Sequence, residues 1–220
     1  MADLDDRRLY LCVPDRPDLE AFVAACIEGG VDVVQLREKH LDDRALLARA
    51  EAVGAVCRDA GIPFVLNDRP DLALAAGADG VHVGQDDVPP EVARRILGDD
   101  AIIGLSTHST ADLVGSLDAP VTYVSAGPVE PTPTKPGRPG VGLEYIRYAV
   151  EHAGRSVWVT GGVSPATVAG VVGAGARHVV AVRWLTDASD PAAAARQLRR
   201  ALDTAIDEAE AGEISNPSPA

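Results

Sequence analysis

Short apolar runs recur along the chain and alternate with longer segments of helical periodicity. The apolar runs are typical of buried strands, and the Ala-rich segments between them repeat their apolar residues at the spacing of one helix face. The predicted strands are Leu9–Val13, Val31–Leu36, Pro63–Leu66, Gly80–Val83, Ile102–Leu105, Val121–Ser125, Val157–Thr160 and His178–Val182.

Polar residues mark the starts of several helices. Asp18, Asp42 and Ser164 suit N-cap positions, and Pro165 suits the first position of a helix. Ser and Pro in the last stretch, 211–220, indicate a disordered tail. The helices that follow from these signals include Asp18–Glu28, Asp43–Asp59, Pro165–Val172 and a final helix over Pro191–Ala209.

The alternation of strands and helices predicts a single α/β domain over residues 1–210, a (β/α)8 TIM barrel. The similar stretches GGVDVVQL, AGADGVHVG and AGARHVVAV each end a helix with glycine and enter a strand, as a repeated βα unit requires. A doubly wound open sheet is the alternative, but no G-x-G-x-x-G follows the first strand.

Composition narrows the class of protein. The net charge of −13 argues against a nucleic-acid or anionic membrane surface, because either partner needs a basic face. The three cysteines lack metal-site spacing and have apolar neighbours, which predicts buried, reduced thiols. With neither a signal peptide nor an apolar run of membrane-spanning length, the expectation is a cytoplasmic protein with small-molecule partners. A homo-oligomer is left open.

The second strand ends in a polar, cationic stretch, Gln35-Leu36-Arg37-Glu38-Lys39. Strand alternation directs Gln35, Arg37 and Lys39 to one face. If that face is the barrel mouth, an amide, a guanidinium group and an ammonium group converge there, which suits a phosphate or diphosphate. A solvated charged turn before the next helix would explain this segment equally well.

Carboxylates follow the next two strands. Asn67 and Asp68 end the third strand, and Asp87 follows the fourth. Because active sites of barrels lie at the carboxyl ends of the strands, this pair beside the cationic stretch predicts a Mg²⁺ site that bridges to substrate phosphates. Helix capping is the alternative role for both aspartates.

The remaining strand ends carry further candidates. Ser106 can donate to a phosphate oxygen, whereas Ser109 with Asp112 resembles a capping box. His108 is interpreted as a loop or cap residue, and His82 as a hydrogen-bonded residue of the barrel interior. The glycine pair 161–162 lies where barrels bind phosphate through backbone N–H groups.

The sixth strand is followed by a long loop, residues 126–142, which predicts an active-site lid. Only two of the 20 Lys+Arg residues are lysines, Lys39 and Lys135. Both fall in loops after strands, which supports one cationic site because a compact ammonium group approaches a phosphate as a point charge.

Together these stretches resemble the thiamine-phosphate synthase family, which has a TIM-barrel fold. The resemblance rests on QLREK, ND, GADGVHVGQDD, GLSTHS, GPVEPTPTK and GGV, in the family's order over nearly the whole barrel. It implies an enzyme, a transferase that joins a hydroxymethylpyrimidine diphosphate to a thiazole phosphate. Diphosphate would leave to give a pyrimidine-methyl cation, which the thiazole nitrogen captures.

The resemblance also implies roles for individual residues. Arg37, Lys39 and Lys135 would be catalytic by stabilising the leaving diphosphate, and Asp68 and Asp87 would hold Mg²⁺. The implied substrate-binding set is Gln35, Leu36, Arg37, Glu38, Lys39, Asn67, Ser106, Thr132, Pro133, Thr134, Lys135, Gly162, Val182 and Arg183.

Arg183 departs from the family pattern, which often has a small or hydroxylated residue there, and the first strand lacks the usual Thr-Asp ending. Two alternatives stay open. A thiazole tautomerase on a similar barrel would need the phosphate cradle but not the metal and diphosphate groups, and a non-catalytic phosphate binder would need neither paired carboxylates nor a lid.

Overall fold

A computed structural model describes residues 4–131 and 139–215 of the chain. Eight parallel strands form a closed barrel in sequence order, so the first strand pairs with the second and with the eighth. The strands are β1 Leu9–Val13, β2 Val33–Leu36, β3 Phe64–Asn67, β4 Gly80–Val83, β5 Ile102–Thr107, β6 Tyr123–Ala126, β7 Ser156–Thr160 and β8 His178–Ala181.

Helices follow the strands and surround the barrel. The last helix packs between the first and the seventh and closes the outer ring. The helices are α1 Leu19–Glu28, α2 Asp43–Ala60, α3 Pro70–Ala76, α4 Pro90–Leu97, α5 Thr110–Gly115, α6 Gly142–His152, α7 Val168–Gly173, α8 Arg183–Thr186 and α9 Pro191–Ser215. The predicted TIM barrel is confirmed.

Strand alternation divides the buried residues into two layers. In β1, Leu9, Leu11 and Val13 pack outward against the helices, whereas Tyr10 and Cys12 face the barrel interior. Burial of each large apolar side chain contributes about 1.5–3 kcal/mol. The interior layer also holds Trp158, so the floor beneath the strand ends is aromatic and tightly filled.

Several predicted boundaries differ from the structure, each for a local reason. Strand β2 starts at Val33 rather than Val31, since the Asp32 carboxylate accepts 2.9 Å bonds from the N–H groups of Arg8 and Leu9 and joins the strand bottoms instead. Asp18 does not cap α1 through its side chain, because Arg16 binds its carboxylate. Asp42 does cap α2, as predicted, by accepting from the N–H of Ala45.

The seventh helix begins later than predicted. Thr167 Oγ1 accepts from the N–H of Ser164 and donates to the carbonyl of Gly162, so residues 165–167 form a turn. Ser164 and Pro165 therefore precede α7 instead of starting it. At the other end of the chain, α9 continues through residues 211–215, the first part of the predicted tail, and residues 216–220 lie outside the described residues.

The three cysteines are free and buried, as predicted. Burial raises the pKa of Cys26 and of Cys57 to about 12, so both stay thiols near neutral pH. Within the described ranges, no helix combines the length and apolar character needed to cross a bilayer.

Gly104 in β5 should be sensitive to substitution. A Cβ there would clash with the ring of Tyr123 and stand 2.5 Å from Nδ1 of His82, both of which fill the barrel interior. We expect Gly104→Ala to lower the free energy of unfolding by about 1–3 kcal/mol, as overpacking does. Urea denaturation measures this change.

Gly173→Ala is the matched control, because a Cβ at this helical position meets no atom within 4 Å. Equal denaturation midpoints for the two alanine variants would contradict the packing described for Gly104.

Candidate active site

A cavity of about 710 Å³ opens at the carboxyl ends of the strands. Most of the residues predicted to bind ligands line it, although they come from six different strand ends. These are Gln35, Arg37, Lys39, Asn67, Asp68, Asp87, Ser106, Gly162, Val182 and Arg183.

The cationic stretch after β2 alternates as its sequence predicts. Gln35, Arg37 and Lys39 line the cavity. Leu36 is fully buried in the layer between barrel and helices, so its side chain faces away from the cavity. Glu38 also turns away, because its carboxylate accepts from the backbone N–H groups of residues 15, 39 and 40. The structure therefore places the side chains of Leu36 and Glu38 away from a bound ligand.

The carboxyl groups of Asp68 and Asp87 lie next to each other, close enough for each to shift the pKa of the other. The ammonium group of Lys39 lies 2.9 Å from Oδ2 of Asp68 and joins the pair to the cationic stretch. Neither carboxylate caps a helix: the N-cap positions of α3 and α4 are Arg69 and Pro89. Asp87 instead accepts from the N–H of Gly84 at 2.8 Å.

Asp68 has a left-handed backbone, with φ of 64°. Among the described residues it is the single non-glycine residue with positive φ, a conformation that costs of order 1–3 kcal/mol and clusters at functional sites. Its N–H donates to the carbonyl of His82 at 2.8 Å, which holds the turn. This turn places the carboxylate at the cavity rim instead of at the start of α3.

The two carboxyl groups have opposite pKa shifts. Burial raises the pKa of Asp68, and the neighbouring Asp87 raises it further, while Lys39 opposes both. Burial also disfavours the charged form of Asp87, but hydrogen bonds from Asp68 and the Gly84 N–H, together with the charge of Lys39, bring its pKa below the usual range. The pair therefore keeps one proton, on Asp68, more readily than two separate aspartates would.

The donor set at this rim fits Mg²⁺. Mg²⁺ usually binds one or two protein carboxylates together with water and substrate phosphates. Two carboxylates are in contact here, whereas no group of three or more His, Cys, Asp or Glu side chains suited to a metal occurs in the described part of the chain. Beside them the buried amide nitrogen Nδ2 of Asn67 has no partner among the described residues and lines the cavity, as a ligand-directed donor would.

The opposite wall of the cavity contains the glycine pair. Gly161 and Gly162 have φ of 91° and 76°, which only glycine adopts without strain. A Cβ at Gly161 would also clash with Pro128. Val182 and Arg183 come directly after strand β8: Val182 is the N-cap of α8, and Arg183 is the first residue of that helix. Thr132, Pro133, Thr134 and Lys135 lie outside the described residues, as do the other residues of the predicted lid between 132 and 138.

Some residues of the cavity were missed or placed only as interior residues. Tyr10, Tyr123 and Ser125 line the floor, and His82 bonds Ser106 there at 2.9 Å. The alternation of side chains that was used for β2 could have predicted them, since each occupies an inward position of its strand. Ser109 caps α5 by accepting from the N–H of Asp112, as predicted.

Comparison with known proteins identifies the family. A family model described as thiamine monophosphate synthase (TMP-TENI) matches residues 9–185, most of the chain. The chain belongs to this family. Its resemblance to the thiamine-phosphate synthases is thereby confirmed, and with it the predicted transferase class and thiamine-phosphate synthase function.

Relatives and solved structures agree with the family. The chain is 47% identical to the thiamine-phosphate synthase of Acidothermus cellulolyticus over 93% of this chain and 99% of that protein. It is 48% identical to that of Thermus thermophilus over 89% and 97% of the two chains. The thiamine phosphate pyrophosphorylase of Pyrococcus furiosus superposes with a TM-score of 0.83 at 29% identity, over 90% of this chain and 96% of that chain.

Replacing Asp87 tests the carboxylate pair in this family member. Because the Asp87 carboxyl raises the pKa of Asp68, we expect Asp87→Asn to lower that pKa. The ¹³C chemical shift of the Asp68 carboxyl carbon, followed against pH in metal-free buffer, measures it.

Asp86→Asn is the control, since Asp86 lines the same cavity beside Asp87. If Asp68 titrated at the same pH in the wild type and in both variants, the two carboxyl groups would not interact as described.

Proposed function

We propose that this chain joins 4-amino-5-hydroxymethyl-2-methylpyrimidine diphosphate to hydroxyethylthiazole phosphate, giving thiamine phosphate and diphosphate. The bond from the pyrimidine methylene carbon to the diphosphate oxygen breaks, and diphosphate leaves with the electron pair. The thiazole nitrogen then donates its lone pair to the resulting pyrimidine-methyl cation. Family membership supports this reaction, and the cavity supplies what it needs.

One observation carries the proposal: the Arg37 and Lys39 side chains and the Asp68–Asp87 pair line a single cavity. A phosphate binder needs the cations alone, whereas adjacent carboxylates would repel an anion unless a cation lay between them. A leaving diphosphate with its metal ion requires both kinds of group.

Arg37 and Lys39 stabilise the leaving group. Arg37 is half-buried, and no hydrogen bond or ion pair engages its guanidinium group within residues 4–131 and 139–215, so its fork is available to phosphate oxygens. Lys39 is already held by Asp68 and needs little reorganisation to face an anion there. We infer the same role for Lys135 from the resemblance.

Asp68 and Asp87 would hold Mg²⁺, which neutralises negative charge that develops on the departing diphosphate. Asn67 and Ser106 donate from the cavity floor, where each is about 95% buried. The reaction also requires that water be kept from the pyrimidine-methyl cation, which it would otherwise capture.

The thiazole phosphate would bind at the glycine wall. Gly161 and Gly162 line the cavity where barrels bind phosphate through backbone N–H groups, and Arg183 lines the same cavity with a further positive charge. Thr132 and Thr134 complete this end by resemblance, and the Gly162, Val182 and Arg183 backbone contributes N–H groups.

We further propose a cytoplasmic location. The three buried free thiols support it, because cysteines stay reduced in the cytosol.

A reconstituted assay tests the function. With Mg²⁺ and both substrates, we expect the purified protein to form thiamine phosphate and diphosphate in equal amounts. Asp87→Asn should lower kcat/KM by roughly 100-fold, since it removes one carboxylate from the site that offsets leaving-group charge.

Asp86→Asn is again the control and should stay near wild-type turnover. Interconversion of thiazole phosphate isomers without formation of thiamine phosphate would instead identify a tautomerase. Binding of either substrate without any turnover would favour the non-catalytic binder.

A further inference from the structure

Five polar side chains form a continuous chain of hydrogen bonds across the cavity floor. Gln35 Nε2 donates to the Tyr10 hydroxyl at 3.0 Å, and the two tyrosine hydroxyls, of Tyr10 and Tyr123, lie 3.0 Å apart. The Tyr123 hydroxyl lies 2.9 Å from Nδ1 of His82, whose Nε2 lies 2.9 Å from Ser106 Oγ. We call this set, Gln35–Tyr10–Tyr123–His82–Ser106, the floor relay.

The direction of the floor relay follows from its first member. The Cys12 thiol approaches Oε1 of Gln35 at 3.5 Å, which leaves the amide nitrogen facing Tyr10 as a donor. Since Tyr10 accepts there, its single hydrogen goes to Tyr123, and the hydrogen of Tyr123 goes to His82 Nδ1. Nδ1 is then an acceptor, so a neutral His82 carries its hydrogen on Nε2 and donates to Ser106.

The last step concerns the hydroxyl hydrogen of Ser106. Its oxygen already accepts from His82, and Ser106 Oγ has no other hydrogen-bond partner among the described residues. Ser106 is about 94% buried and lines the cavity. Its hydrogen is therefore available only to a molecule in the cavity.

We propose that the floor relay fixes His82 as the Nε2–H tautomer and thereby makes Ser106 a hydrogen-bond donor to the ligand. Tyr10, Tyr123 and His82 are positioning residues in this scheme, because they act through Ser106. The tautomer is a property of the free protein. The consequence for the ligand rests on the proposed function, in which Ser106 meets an acceptor atom of the pyrimidine diphosphate.

The direction of the hydrogen bond between His82 and Ser106 matters, because the opposite direction would prepare Ser106 to act as a nucleophile. If Ser106 donated to His82 Nε2, the pair would have the arrangement of a nucleophile and its base. Here the other ring nitrogen faces a tyrosine hydroxyl instead of a carboxylate, and the hydrogen runs from His82 to Ser106. The floor relay therefore suits a reaction without a nucleophilic side chain, and it directs the serine hydrogen to the substrate.

Neighbouring packing keeps the floor relay in place. The rings of His82 and Tyr123 stack with centroids 5.6 Å apart, and Tyr10 and Trp158 meet edge to face at 5.3 Å. Gly104 leaves the room that both His82 and Tyr123 occupy. Little rotation is open to these rings, so their oxygen and nitrogen atoms stay within hydrogen-bond distance of one another.

¹⁵N NMR of the full chain, labelled at histidine and free of substrates, tests the tautomer. At about pH 8, above the usual imidazole pKa of about 6.5, we expect His82 with protonated Nε2 and unprotonated Nδ1. His82→Gln identifies the signals by their loss. A His82 ring protonated at Nδ1 would overturn the proposal, because the relay would then run the other way.

Two hydroxyl deletions test whether the floor relay sets the tautomer. Tyr123→Phe removes the donor to Nδ1, and we expect both neutral tautomers of His82 to be populated. Tyr10→Phe removes the next link and should act in the same direction, which keeps the test available if one variant does not fold. Tyr148→Phe is the control, because Tyr148 stacks on His152 outside the floor relay. A pure Nε2–H form in both deletions, or equal changes in the control, would contradict the proposal.

A double-mutant cycle on synthase turnover then tests whether the floor relay acts on the ligand through Ser106. Ser106→Ala should lower kcat/KM by about 10- to 100-fold, as loss of a hydrogen bond to a charged group does. Tyr123→Phe should lower kcat/KM when Ser106 is present but should cause little further loss in the Ser106→Ala background. The difference between the two effects, the coupling, should be about tenfold. Additive losses would show that Tyr123 acts independently of Ser106. Absence of turnover in the wild type would instead reject the proposed function and leave the tautomer result standing.

Discussion

Closure of eight parallel strands into one barrel is the constraint on which the rest of this molecule depends. Closure brings the carboxyl ends of all strands to one rim, so Lys39 after β2 and Arg183 after β8 line the same cavity. It also sends every second side chain into a narrow interior that must be filled. Polar side chains buried there need hydrogen-bond partners and find them in one another, which produces the floor relay.

The same geometry explains how a chain of net charge −13 can hold phosphorylated ligands. Despite that overall charge, the strand ends bring Arg37, Lys39 and Arg183 to one cavity. Asp68 and Asp87 reverse that sign at one edge of the cavity, and the left-handed turn at Asp68 is what places the first of them there. A divalent cation bound by these carboxylates would attract the diphosphate that they would otherwise repel.

Much of this could be predicted from the sequence, because two simple periodicities control it. The order of strands and helices follows from apolar spacing, and the inward set Gln35, Arg37 and Lys39 follows from alternation within one strand. The motif did not separate inward from outward positions: the Leu36 and Glu38 side chains face away from the cavity, and contacts of these two residues with a substrate stay a prediction.

Local turns held by side chains, and contacts between residues distant in the sequence, were harder to predict. The start of α7 was misplaced because Thr167 closes a local turn, which competes with Ser164 as a helix start. The contact between the Asp68 and Asp87 carboxyl groups depends on how two loops approach each other. The floor relay joins residues up to 113 positions apart, and only the closed barrel shows that their hydroxyl groups meet.

In the function proposed above, the cationic stretch and the carboxylate pair act together on one diphosphate and its metal ion. Calorimetric titration of the full chain with diphosphate, with and without Mg²⁺, measures this most directly. We expect Mg²⁺ to strengthen diphosphate binding to the wild type, and we expect this gain in affinity to disappear in a variant carrying both Asp68→Asn and Asp87→Asn. Equal affinity with and without Mg²⁺, or an undiminished gain in the double variant, would contradict it.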